Sequence, residues 1–204
     1  DRVKLAEAEQ LMRTRILERH MMEGVTVTDP ATTYIDATVR IAADVTVQPG
    51  SHLRGATEIE TGAIIGPGAM LRNAVIGAGT KVQASVVEDS RIGANCNVGP
   101  FAHVRGNASI GDGCELGNYS EVKNSVLGAG VKMHHFSYLG DADVGARANS
   151  AAGTITSNFD GVRKHRTVIG EDAFIGCDTI LVAPVSVGDG AYTASGAVVT
   201  RNVE

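Results

Sequence analysis

Tryptophan is absent from this 204-residue chain, and aromatic residues make up only 4% of it. A core built around large rings is therefore excluded, and an interior of Ile, Val, Leu and Ala is expected. Cysteine is scarce too: Cys96, Cys114 and Cys177 are odd in number, far apart and without CxxC or CxxH spacing. That pattern argues against a zinc site and for reduced thiols in a cytoplasmic protein. No apolar run approaches the roughly 18 residues of a membrane span, and no signal peptide is visible, so no membrane partner is expected. The net charge of -5 lacks the basic excess that nucleic acid would attract. The first residue is Asp1 rather than Met, and we expect a fragment whose upstream domain is missing.

What is present is a period. Apolar residues make up 43% of the chain, and mean hydropathy is near zero. From Ile92 to Val122 an aliphatic residue, mostly followed by Gly, returns every six residues, at Ile92, Val98, Val104, Ile110, Leu116 and Val122. Six suits neither the 3.6 residues of a helical turn nor an amphipathic stripe, but it suits short strands joined by tight corners. The same phase recurs at Ile59, Ile65, Ile76, Leu127, Val144, Ile169, Ile175 and Val187. A parallel β-helix of hexapeptide repeats is predicted from about Ile35 to Val199, because such coils bury their aliphatics only against their neighbours. The Gly after each aliphatic serves positive φ or close backbone approach at a corner.

Residues 2–22 are rich in helix formers, with Leu5, Ala8, Met12, Ile16 and Met21 at helical spacing. They predict one amphipathic helix, a linker or cap occupying residues 1–24, whose apolar stripe faces the first coil. Residues 25–30 read as a turn, and the repeat domain fills 25–204.

Two stretches depart from the small residues of the repeat. KMHHFSYL, residues 132–139, crowds two imidazoles and two rings into little more than one repeat. TITSNFDGVRKHRT, residues 154–167, does not parse into hexapeptides and is expected to leave the prism as a loop, where function concentrates. It ends in Arg163, Lys164, His165 and Arg166, which read either as a solvated charge run or as a phosphate seat. His20, His52 and His103 stand alone and read as surface or packing residues. His134 or His135 could act as a base near neutral pH, with Lys123 and Arg105 binding an anion. The residues support a transferase acting on a phosphorylated small molecule, with the group transferred left open.

The segments DRVKLAEAEQLMR, IGPFAHVR, GNYSEVKNS, KMHHFSYLGDADVG, GTITSNFDG, KHRTVIGEDAFIG and LVAPVSVG resemble a known family over essentially the whole chain. It is the bifunctional bacterial glucosamine-1-phosphate N-acetyltransferase and N-acetylglucosamine-1-phosphate uridyltransferase, and the likeness is to its C-terminal half. The resemblance implies an all-β, left-handed parallel β-helix preceded by one α-helix. It also implies a homotrimer with sites between subunits and acetyl-CoA as donor, serving UDP-N-acetylglucosamine synthesis for cell-wall precursors. His135 matches the catalytic base; Arg105, Lys123, Tyr138, Asn149 and Lys164 match the sugar-phosphate site; the Ala152 N–H matches the group at the acetyl oxygen. Asn158, Phe159, Cys177 and Ser195 match acetyl-CoA contacts. No metal is expected in these residues; magnesium would belong to the upstream uridyltransferase domain. Phe159 stands where the family has tyrosine, Cys177 where serine is common, and Ser150-Ala151 where Ile/Val-Gly is usual. Two further readings stay open: an acyltransferase for another amino sugar such as galactosamine-1-phosphate, and a non-catalytic trimerising solenoid.

Overall fold

A computed structural model describes residues 1–204. One helix, Arg2–Met22, is capped by the Asp1 carboxylate, which accepts the Lys4 N–H at 2.9 Å. It ends before Gly24, whose φ of 94° turns the chain. Contrary to the stripe expected from spacing, the helix buries only Leu17 and His20, while Leu5, Met12 and Met21 are exposed. Its C-terminal part packs over Thr26–Val27 and Tyr34–Ile35, and Arg13 lies over the Tyr34 ring at 4.7 Å. Leu17 and His20 lie to one side of the stripe of Leu5, Ala8, Met12 and Ile16, and Met21, about two and a half turns from Met12, faces the opposite way.

Beyond the helix the chain winds into a left-handed parallel β-helix. Nine coils each give one short strand to each of three parallel sheets, which begin at Thr26–Val27, Tyr34–Ile35 and Arg40–Ile41, and Val198–Val199 adds a tenth strand to the second sheet. The six-residue aliphatics are the inward residues: Ile92, Val98, Val104, Ile110, Leu116 and Val122 are 0 to 3% exposed. They join one continuous cluster of 43 buried residues. At Gly117 the need is close approach, since a Cβ there would collide with the His134 backbone of the next coil, whereas Gly66 and Gly99 at the same place in the repeat also take positive φ, 104° and 102°.

Two boundaries differ from those expected. The coils start earlier than Ile35, because Val25 and Val27 are buried and Thr26–Val27 pairs with Thr46–Val47. Asp29-Pro30 signals a corner, and Thr26–Val27 before it already forms the first strand. The departure from the prism is also shorter than residues 154–167. Ile155–Ser157 remains a strand of the second sheet with Thr156 inward, and only residues 158–166 leave it, folded back by an antiparallel bridge between Phe159 and Lys164. Thr156 stands where the coils on either side have Leu139 and Leu181, and its hydroxyl donates to the Gly140 carbonyl at 2.9 Å; Thr154, level with Ser137 and Thr179, donates to the Ala151 carbonyl at 2.7 Å. No helix is long and apolar enough to cross a membrane.

Candidate functional site

The second sheet stacks outward side chains one coil apart. Arg105 pairs in register with Lys123, and Glu121 with Tyr138. Arg105 donates to Glu121 Oε1 from Nε at 2.9 Å and from Nη2 at 2.6 Å. The residue in register above Lys123 is Gly140, and the Tyr138 hydroxyl occupies the space a Cβ would need there.

Lys164 reaches this sheet from the folded-back loop. Its ammonium, adjacent to that of Lys123, is the main reason the Lys123 amine is held below the usual lysine range. Arg105 adds to the effect and Asp141 opposes it. Arg105, Lys123 and Lys164 therefore form one cationic group that a phosphate would relieve. The rest of the basic run does not join them. Arg166 pairs with Asp143, and His165 bonds Asp160 at 2.6 Å. The same Asp160 carboxylate accepts the N–H groups of Arg163 and Val162, which with His165 hold it down at about 2. Of residues 163–166, Lys164 is thus the one whose side chain lies beside Lys123.

His135 sits exposed at the corner between Lys132–Met133 and Ser137–Gly140. His134 is tied, with Nε2 at 2.8 Å from Glu115 Oε2, whereas His135 has no hydrogen-bond partner. The rings lie edge to face at 6.4 Å. Lys132, Asn149, Phe174 and Tyr192 stack in register on the first sheet. Three residues after each of them come His135, Ala152, Cys177 and Ser195, so these four form one column along the corner. The Ala152 N–H has no protein acceptor, while its carbonyl accepts the Asp178 N–H at 2.7 Å. Cys177 is exposed.

The expected site residues thus fall into two sets and two outliers. Arg105, Lys123, Tyr138, Lys164 and Asn158 gather on the second sheet, with Asn158 Nδ2 3.5 Å from the Tyr138 hydroxyl. The corner column holds the second set. Asn149 lies across the corner on the first sheet, and Phe159 stands exposed on the loop. Sequence reasoning passed over Asp141, 6% exposed, which accepts from the side-chain amides of both Asn124 and Asn158. An acidic residue before a strand carries no signal of its own in the repeat.

With this geometry in place, comparison with known proteins is direct. A model of the bacterial transferase hexapeptide (six repeats) matches residues 89–124 and 166–201. Over 203 residues, all of this chain and 44% of the relative, it is 50% identical to the bifunctional protein GlmU of Geobacillus sp. (strain WCH70). It is 47% identical, over 45% of the relative, to that of Trichormus variabilis (strain ATCC 29413 / PCC 7937). The chain therefore spans less than half the length of these relatives. A solved UDP-N-acetylglucosamine acyltransferase from Campylobacter jejuni shares the fold, with a TM-score of 0.57 at 15% identity over 87% of this chain and 68% of that one. This chain, folded as a hexapeptide solenoid, thus matches GlmU proteins from end to end, over their C-terminal part.

Proposed function

We propose that this chain transfers the acetyl group of acetyl-CoA to the amine of glucosamine-1-phosphate, giving N-acetylglucosamine-1-phosphate for UDP-N-acetylglucosamine synthesis. The observation that carries this is the cationic group of Arg105, Lys123 and Lys164 on one side of a corner whose imidazole, His135, is free. The cations hold the phosphate by charge-assisted hydrogen bonds, and Tyr138 and Asn149 line the sugar. An ammonium has no lone pair with which to attack a thioester, so the nucleophile is the neutral amine left once one proton has gone to water. As its nitrogen bonds to the carbonyl carbon, His135 takes a second proton from that nitrogen; the C–S bond then breaks, leaving the neutral amide, and the imidazolium returns its proton to the leaving thiolate. The unpaired Ala152 N–H donates to the oxygen that gains charge, an interaction worth about 3 kcal/mol at comparable sites.

The remaining corner residues, Cys177 and Ser195, together with Asn158 and Phe159, bind acetyl-CoA in this reading. Asn149 and the cationic group lie on different faces of the prism, which fits a site completed between subunits of a homotrimer. The relatives are longer than this chain, and a uridyltransferase domain with its magnesium would lie outside these residues. A cytoplasmic enzyme is expected. Thiol release from acetyl-CoA, measured against a panel of amino-sugar phosphates, tests the proposal. Turnover with glucosamine-1-phosphate supports it; preference for galactosamine-1-phosphate would assign a sister activity, and no turnover with any sugar would leave a scaffold.

A further inference from the structure

The corner between the second and third sheets needs left-handed backbone, and its column runs Gly55, Asn73, Asp89, Gly106, Asn124, Asp141, with φ from 48 to 67°. Asn and Asp tolerate that conformation, so their presence alone means little. The Asn73 amide bonds Asp89 at 2.8 Å far from any candidate site. What changes at the top of the column is the next member. Tyr138 pairs with Ile155, which places Asn158 above Asp141. Asn158 is 8% exposed, lies outside the left-handed region and begins the loop that delivers Lys164.

An ionised carboxylate only accepts hydrogen bonds, whereas an amide has one donating and one accepting end. Asp141 receives the Asn158 Nδ2 at 2.5 Å, so the Asn158 Oδ1 must face away from it. The Asp141 N–H donates to the Lys123 carbonyl at 3.0 Å and its carbonyl accepts the Thr167 N–H at 3.1 Å. One buried residue therefore ties the strand bearing Lys123 to both ends of the loop bearing Lys164.

We infer that Asp141 is a positioning residue of the transferase site: its buried carboxylate fixes the orientation of the Asn158 amide and seats the root of residues 158–166, setting Lys164 beside Lys123. The inference rests on the acetyltransferase reading above. It has a signature that charge alone does not share. Removing a carboxylate near three cations strengthens anion binding if the carboxylate merely offsets their charge. If it positions Asn158 and the loop, the same change weakens both substrates.

Asp141→Asn keeps the shape but presents an amide that satisfies Asn124 and Asn158 together only if Asn158 reverses its ends. The double variant Asp141→Asn/Asn158→Asp lets residue 141 accept from Asn124 and donate to residue 158, whose second oxygen again faces the site. Thiol-release kinetics on the full chain should show the KM for acetyl donor and for sugar phosphate each rising about tenfold in Asp141→Asn, with kcat changed less than about threefold. The double variant should return the KM for sugar phosphate to within about threefold of the unchanged chain, the donor KM being set aside because Asn158 is itself read as a donor contact. Asp89→Asn, the same change at the remote pair, should leave the kinetics alone. Should Asp141→Asn lose its fold, the double variant, with its hydrogen bonds complete, still decides. KM values within about twofold in Asp141→Asn, a lower KM for sugar phosphate, or a double variant no better than the single one would overturn the inference. Absence of turnover in the unchanged chain would instead sink the functional reading, and this inference with it.

Discussion

At the scale of single residues, the structure ranks side chains that sequence leaves equal. Lys123 and Arg105 both depart from the small residues of the repeat, but Arg105 already gives two hydrogen bonds to Glu121, while Lys123 faces only like charge at its ammonium and the opposing field of Asp141. Lys123→Ala should therefore weaken glucosamine-1-phosphate binding by about 1.5 to 3 kcal/mol, the worth of a charge-assisted contact, and Arg105→Ala by less. Calorimetric titration checks the order, and an unchanged Kd in Lys123→Ala would contradict it. The inward aliphatics were readable one by one, since each repeat can bury only one residue of that kind at that phase. Asp141 was not. Its corner accepts Asn, Asp or Gly for backbone reasons, so a residue serving the site looks like every other corner residue until its partners are known.

At the scale of elements, the helix shows what periodicity omits. Leu5 and Met12 keep helical spacing yet stay exposed, Met21 falls on the opposite side, and the helix is held chiefly through Leu17 and His20. Burial is the largest cause holding the His20 imidazole below its ordinary value, followed by Arg19, with Glu23 opposing. The unfolded chain then binds the extra proton, so stability is complete above about pH 6.5 and falls as pH drops from there toward the lower folded value. The melting temperature of His20→Phe should consequently decline less between pH 8 and 5 than that of the unchanged protein. Parallel declines in the two would show that His20 does not carry this sensitivity. The loop taught the complementary lesson. Its start looked irregular because Thr156 stands in place of an aliphatic, but a buried hydroxyl with a carbonyl partner holds a coil as a methyl group does.

At the scale of the whole molecule, the prism leaves Met70, Val126, Ile155, Val168, Val182 and Val198 exposed along its sheets. A symmetric oligomer would cover such rows and bring Asn149 of one copy toward the cationic group of another. Light scattering at micromolar concentration should give three times the chain mass of 21.1 kDa; a monomer would contradict this. The β-helix was legible because its repeat is a local rule stated many times over. Which residues meet across its corners was not, because no local pattern in a solenoid records it. The account stands or falls on the free imidazole at one of those corners. Its most direct test is the turnover of His135→Ala and His134→Ala with acetyl-CoA and glucosamine-1-phosphate. His135→Ala should lose about 10² to 10⁴ in kcat with little change in substrate binding, while His134→Ala, which gives up only its contact with Glu115, should keep most of its activity. Near-normal turnover in His135→Ala, or an inactive His134→Ala, would contradict it.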